Sequence, residues 1–499
     1  MLFGDKYKFH AFFYQYGNKQ FNSETFFRIL LLLILFISST PSKSQNIIGK
    51  IESTSRAVIN ATAINKSKTP VGSAMAFFIS GDGLAITDAS LFQYADSILF
   101  YDNNGKNFAL NQIIAFHPYG NMALVHLQIL GSKPVDFLTP SFNAFNGESE
   151  ILAFMNIADS NQGLSYGRIN KITESITGDR IVYANLRGSS VSNCAPNISN
   201  NGDFIGISRF IEDKSIIFPS KYIADSLWIS VNQTLYQFKS NSKRNNLTDQ
   251  ILCLGMISLA EENWTEAARC FTESLKTDPN NATIYALRAL CKYKYGNKSG
   301  GNDDFSYSIK LKPDGYLPYY ARAFSHIINK DINKALADLF LSVEKHPDFA
   351  RAFIEIGKLQ ISNNEISRAF ASFTYALKTD SLLAEAWYER GRLSMFHSSN
   401  QNKALADLLT AAQLNPWLDG IYSLCGNIKL KQKNYLDAII DFDKAINKNP
   451  EDIHARMNRG MAYFNIGLKD KACDDWEYAV KKGDTQAIIL SSRYCTQLR

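Results

Sequence analysis

Across residues 248–499 the small and apolar positions recur with a period of about 34 residues. Pro279, Pro313 and Pro347 lie 34 apart, Ser381 takes the next slot, and Pro416 and Pro450 follow after one inserted residue. About twelve residues ahead of each stands a small residue: Ala267, Gly301, Ala335, Ala369, Ala404, Ala438. About eight ahead stands an aromatic or apolar one, such as Phe271, Phe305, Phe373 or Phe442. A further small residue precedes most of the first set by twelve, as at Gly255, Ala289, Ala323, Gly357 and Gly426, with Gly391 one position further off. A last unit over 453–483 repeats the pattern with Gly460, Ala472, Trp476 and Ala479. Two small positions per unit predict two helices in close approach, the aromatic fills the gap between them, and the proline stops the second helix. One such hairpin cannot bury its apolar face alone, so seven are expected to stack into an all-α solenoid, with 487–497 as a closing helix.

The chain over 57–228 has a different grain. Short apolar runs at 74–80, 84–87, 97–101, 123–129, 150–155, 180–184 and 204–208 are separated by Gly, Asn and Asp. Asp82-Gly83 is a hairpin signal between two of them. Many short strands with such turns predict a sandwich or barrel. The polar stretch 239–247 is expected to link this domain to the repeats.

The 34-residue pattern resembles the tetratricopeptide repeat, with six units agreeing in phase. In that family the first helix of each repeat lines a concave groove, with positions two, five, nine and twelve facing in. At position nine this chain offers Lys358, Arg392 and Asn427, with Tyr320, Phe324 and Tyr388 nearby. The resemblance therefore implies a peptide or protein partner, and a basic-polar row with aromatics suits an extended peptide bearing an acidic or C-terminal carboxylate. The alternative is a solvated helix face. The paired-carboxylate clamp of chaperone-binding members does not line up here.

A second resemblance is carried by strand, Asp-Gly turn and a strand ending in Thr87, by Met122-Ala123-Leu124-Val125 after His117-Pro118, by Asn201-Gly202-Asp203-Phe204-Ile205-Gly206-Ile207, and by Phe218-Pro219-Ser220-Lys221. Residues 50–238 resemble a trypsin-like serine protease of the HtrA type, which implies two six-stranded antiparallel barrels and a C-terminal helix over 222–238. That mechanism requires a histidine base, an aspartate that orients it and a nucleophilic serine. The matching positions hold Ser90, Asn121 and Asn193. The oxyanion-hole glycines correspond to Cys194 and Ala195, which do not reach positive φ easily. With all three triad members replaced, the resemblance implies a protease fold without its catalytic apparatus. A relocated nucleophile would have to be Ser192 or Cys194, and it would still need a base. His117 and His126 are the domain's histidines, and neither occupies the base position.

Among 499 residues a net charge of +6 is small, and no cluster of Lys and Arg singles out a nucleic-acid face. Of seven cysteines, six lie in the repeats, mostly at apolar helical positions. A Cys473–Cys495 bridge is compatible with the sequence but not fixed by it. No His, Cys or carboxylate cluster has ligand spacing, so neither metal nor cofactor is expected. Near the start, Arg28 precedes the uncharged apolar run 29–37, and Ser38, Ser39, Thr40 and Pro41 follow. The run is short for a bilayer span and has the form of a secretory signal, with cleavage expected after Ser44. The alternative is that it stays as an anchor. The expectation is an exported, periplasmic or extracellular bacterial interaction protein with segments 1–44, 50–238, 239–247 and 248–499. An exported serine- or cysteine-type endopeptidase is the competing reading.

Overall fold

A computed structural model describes residues 41–117, 120–129, 135–138, 150–157, 161–174, 180–186, 188, 192–199, 203–211, 214–220, 223, 229–235, 237, 250–397 and 400–495. The apolar run 29–37, Asn201-Gly202, Lys221 and the segment 239–247 lie outside the described residues. Two compact units result, one holding most of the strands and the other the helices from Gln250 onward.

A helix over Pro41–Ala57 opens the described chain. It leads into β1 (Val58–Ile64), β2 (Pro70–Phe78), β3 (Leu84–Asp88), β4 (Ser97–Tyr101), β5 (Asn107–His117) and β6 (Met122–Gln128). These six close on themselves in the order β5-β4-β1-β2-β3-β6, because β5 and β6 also pair. The barrel interior is filled by every second side chain, such as Ile59, Ala61 and Ala63 on β1 and Ala76 and Phe78 on β2. Gly83 turns the β2–β3 hairpin at φ 111°, and a Cβ there would lie 2.2 Å from the Leu127 carbonyl oxygen, so only glycine fits.

The second barrel runs through β7 (Glu150–Ile157), β8 (Asn161–Glu174), β9 (Arg180–Ala184), β10 (Ala195–Ser199), β11 (Phe204–Ile211) and β12 (Lys214–Pro219), closing in the order β10-β11-β12-β9-β8-β7. Two six-stranded antiparallel barrels are thus present, as the trypsin-like resemblance implies. The helix expected over 222–238 is interrupted by a strand, and residues 222, 224–228, 236 and 238 lie outside the described ones. Within it, β13 (Ile229–Gln233) is a strand on β5, with Ile229 opposite Phe116 and Ser230 opposite Ala115. The alternation Ile-Ser-Val-Asn favours a pleated strand over a helix, and Asn232 at φ 50° breaks the ladder into a bulge.

From Gln250 to Tyr494 the described residues form paired helices, beginning with Gln250–Ala260 and Trp264–Thr277 and ending with Ile453–Asn465, Lys469–Lys481 and the closing helix Thr485–Tyr494. The repeat pattern is explained at atomic distance. A Cβ on Gly255, Gly357, Gly426 or Gly460 would lie 2.5–2.8 Å from a ring atom of Phe271, Phe373, Phe442 or Trp476, so the small residue on the first helix is the seat of the aromatic on the second. A buried ion pair adds to this seat. Asp304, Asp338, Asp407, Asp441 and Asp475, three residues after the small residue of the second helix, accept from Arg288, Arg322, Arg390, Lys429 and Arg459 of the first. The four arginines bind bidentately, which fixes angle as well as distance. The first and fourth hairpins, with Cys270 and Ser372 at that position, have no carboxylate there. Cys473 and Cys495 form a disulfide that ties the closing helix to the last hairpin, while Cys194, Cys253, Cys270, Cys291 and Cys425 are buried thiols.

Candidate functional site

In the double barrel, two of the three positions matched to a protease triad, Ser90 and Asn121, meet at Asp88. It ends β3 and is 1% exposed. Its Oδ1 accepts from the Ser90 N–H at 2.8 Å, the Ser90 hydroxyl at 2.6 Å and the Asn121 amide at 3.3 Å. Its Oδ2 lies 3.0 Å from Nη2 of Arg209, which comes from β11 of the second barrel. Arg209 also donates to the Asn121 carbonyl at 2.8 Å. Asn121 reaches this position in a left-handed conformation, φ 48°. Asp88 is therefore surrounded by donors, and one of them is a buried guanidinium.

Asn193 lies at the junction of the two barrels. Its carbonyl accepts from the Met75 N–H of the first barrel at 2.9 Å, and its Oδ1 accepts from the Phe210 N–H at 2.8 Å. The expectation that residue 194 avoids positive φ is corrected here: Cys194 stands at φ 63°. Its N–H donates to the Ser208 carbonyl at 2.9 Å, and that bond holds the turn in place of a glycine's freedom. Ala195 begins β10 opposite Ser208. Ser192 and Cys194 are both buried. His117 uses Nδ1 to accept from the Gly120 N–H at 3.0 Å, and Nδ1 of His126 meets the Asn111 amide at 3.1 Å.

In the solenoid, the residues expected along the groove sit on consecutive first helices. Tyr320 is buried, edge-on to Phe324 at 5.1 Å and to Phe349 at 4.7 Å, and burial pushes its phenol well up. Lys358 is bracketed by Glu355 at 2.9 Å and by Glu385 of the next repeat at 2.5 Å. Arg351 pairs with the other oxygen of Glu385. Arg392 is held by Glu389 at 2.7 Å. The Asn427 side-chain oxygen Oδ1 accepts from the Asn458 side-chain amide at 2.7 Å, and Tyr388 packs half-buried against the cluster that holds Met395 and Cys425. The basic row is thus neutralised from within: Arg351, Glu355, Lys358 and Glu385 form one alternating network across the fourth and fifth repeats. The sequence reading saw the cations. It missed Glu355 and Glu385, which stand three residues before Lys358 and at position two of the following repeat.

Burial opposes ionisation of Glu385, but Arg351 and Lys358 outweigh it and hold the carboxyl at about 2. A depressed acid stabilises the fold above its ordinary value of 4.5 and loses that contribution as pH falls toward 2. Over that window the solenoid is expected to lose on the order of 3 kcal/mol through this network. Urea unfolding at pH 6 and pH 3 measures the loss, and Glu385→Gln is expected to show a smaller difference between the two. An equal difference in parent and variant contradicts the assignment.

The sequence model of the tetratricopeptide repeat family matches residues 426–488. Together with the phased repeats, the paired helices from Gln250 onward form a TPR-like solenoid, which in the sequence follows two six-stranded barrels consistent with a trypsin-like double barrel. Among solved structures, YrrB, described as a TPR protein with an unusual peptide-binding site, shares 20% identity over 38% of this chain and 97% of its own, at a TM-score of 0.34. The pilF protein of Pseudomonas aeruginosa shares 12% over 43% of this chain and 97% of its own, at 0.39. Deg5 shares 15% over 38% of this chain and 94% of its own, at 0.31.

Proposed function

We propose that this chain is an exported, non-enzymatic interaction scaffold. Its solenoid holds a peptide or protein partner, and its double barrel is a protease fold that serves as a second recognition surface. The observation that carries the reading is the network at Asp88. A general base must have a free lone pair facing the proton it takes. Here the buried carboxylate already accepts from Ser90 and Asn121 and is paired with Arg209. Asn193, at the nucleophile position, spends its side-chain oxygen on the Phe210 N–H. The Cys473–Cys495 bridge supports export, because such bonds persist in oxidising compartments.

The groove's internal neutrality changes the expected ligand. A bare acidic tail would have to displace Glu385 or Glu389 to reach Lys358 or Arg392. An extended peptide read through amide and aromatic contacts at Tyr388, Asn427 and Asn458 requires no such exchange. Selection of random peptides on the immobilised full chain tests this. Peptides are expected to be enriched and to lose about tenfold in affinity with Asn427→Ala, which removes roughly 1–2 kcal/mol of hydrogen bonding. No enrichment, or peptides indifferent to Tyr388→Ala and Asn427→Ala together, contradicts the groove reading.

A further inference from the structure

The two edges of the solenoid differ in their balance of charge. In six of the hairpins the turn from first to second helix uses a left-handed residue: Glu262, Gly296, Lys330, Asn364, Lys433 and Gly467. Because the hairpins stack in parallel, these turns line one edge, and the turns between hairpins line the other. The between-hairpin turns each bring an acid: Asp278, Asp314, Asp348, Asp380, Asp419 and Asp452. The within-hairpin turns of the second, sixth and seventh repeats are richer in lysine, while the third sets Asp331 beside Lys330 and the fourth carries Glu365. The stretches 292–298 and 429–433 each hold three lysines; Lys292 and Lys429 turn inward to Asp304 and Asp441, which leaves Lys294, Lys298, Lys431 and Lys433 at the surface, and Lys330, Lys403, Lys469 and Lys471 continue the edge.

The same edge exposes large apolar side chains where a solvated turn needs none. Tyr295 is 42% exposed, Ile328 37%, Phe396 63%, Leu436 66% and Leu468 43%. These five come from five different hairpins, so they are spread along the edge. The first hairpin's turn, Glu261-Glu262, is acidic and closes the surface at that end.

From the charge and the exposed apolar tips we infer that this edge is a docking surface for an anionic membrane. Lysines would meet the negative surface potential, while Phe396 and Leu436 would enter the headgroup region. A nucleic acid would use the lysines and leave the aliphatic tips in water. No helix among the described residues is long and apolar enough to cross a membrane, so the surface would lie on the bilayer.

Vesicle co-sedimentation of the full chain tests the inference. The readout is the ratio of affinity for vesicles of phosphatidylcholine with about one-third phosphatidylglycerol to that for phosphatidylcholine alone, so a constant contribution from residues 26–40 cancels. The parent ratio is expected to exceed about ten and to fall with added salt. Lys431→Glu with Lys433→Glu, and separately Phe396→Ser with Leu436→Ser, are each expected to bring it down about tenfold. Lys310→Glu with Lys312→Glu, on the opposite edge, is expected to leave it unchanged. All six positions are surface residues or turns, and circular dichroism confirms that the variants fold. A parent ratio near one overturns the proposal. So does loss with the charge reversal but not with the Phe396 and Leu436 pair, which would point to a polyanion instead.

Discussion

Arg209→Met is expected to destabilise the double barrel by about 3–5 kcal/mol, the usual cost of leaving a buried charge without its partner. Asp88 is 1% exposed, and the Arg209 side chain is 6% exposed. Removing the guanidinium leaves the carboxylate with only the Ser90 and Asn121 donors. It also frees the Asn121 carbonyl, which holds the loop between β5 and β6 against β3 through the Ala89 N–H at 3.0 Å. The double variant Asp88→Asn, Arg209→Met is expected to recover most of the loss, because no buried charge remains. Urea unfolding followed by near-ultraviolet circular dichroism measures both. A single variant that unfolds at the parental urea concentration shows that the pair does not hold the barrels together.

Trp476→Ala is expected to cost the solenoid about 3–5 kcal/mol, as for other buried aromatics cut to alanine. The indole is wholly buried among Met457, Ala472 and Ala479. It packs at 5.7 Å from Phe464 and 6.2 Å from Tyr494, and its Nε1 donates to the Met457 carbonyl at 3.3 Å. Gly460 leaves no side chain to fill the void. The closing helix buries one residue completely, Ala487, and leans on this indole through Tyr494. Its amides are therefore expected to exchange faster in the variant even with the Cys473–Cys495 bond intact. Parental exchange across 485–494 would mean that the disulfide alone seats that helix.

The repeats were legible because each small residue has a steric duty that recurs every turn of the solenoid, as Gly357 under Phe373 and Gly426 under Phe442 show. The disulfide was not, because its two cysteines are separated by 22 residues and only the closing helix brings them together. In the barrels, Leu84-Ala85-Ile86-Thr87 stands out as a run, while β1 hides behind Asn60 and Thr62 and β8 behind Gly167, Arg168 and Lys171, whose pleat alternates between interior and solvent. Pro41–Ala57 went unread because its polar Ser, Asn and Lys content gives little amphipathic signal, and it buries Ile51, Thr54 and Ala57 by tertiary contact. At the candidate sites, the motif resemblance pointed to Ser90, Asn121 and Asn193. It could not supply their new partner, because Arg209 lies on a strand remote in sequence. The ion pairs along the groove were hidden for the same reason: Lys358 was visible, and the Glu385 that pairs with it belongs to the next hairpin.

The most direct test of the central claim is a protease assay. The full chain is incubated with unfolded casein at neutral pH beside Ser192→Ala and Cys194→Ala variants. The account predicts no cleavage by any of the three. Cleavage by the parent that disappears in one variant would contradict it, and would place a working nucleophile and base in a protein argued here to bind without cutting.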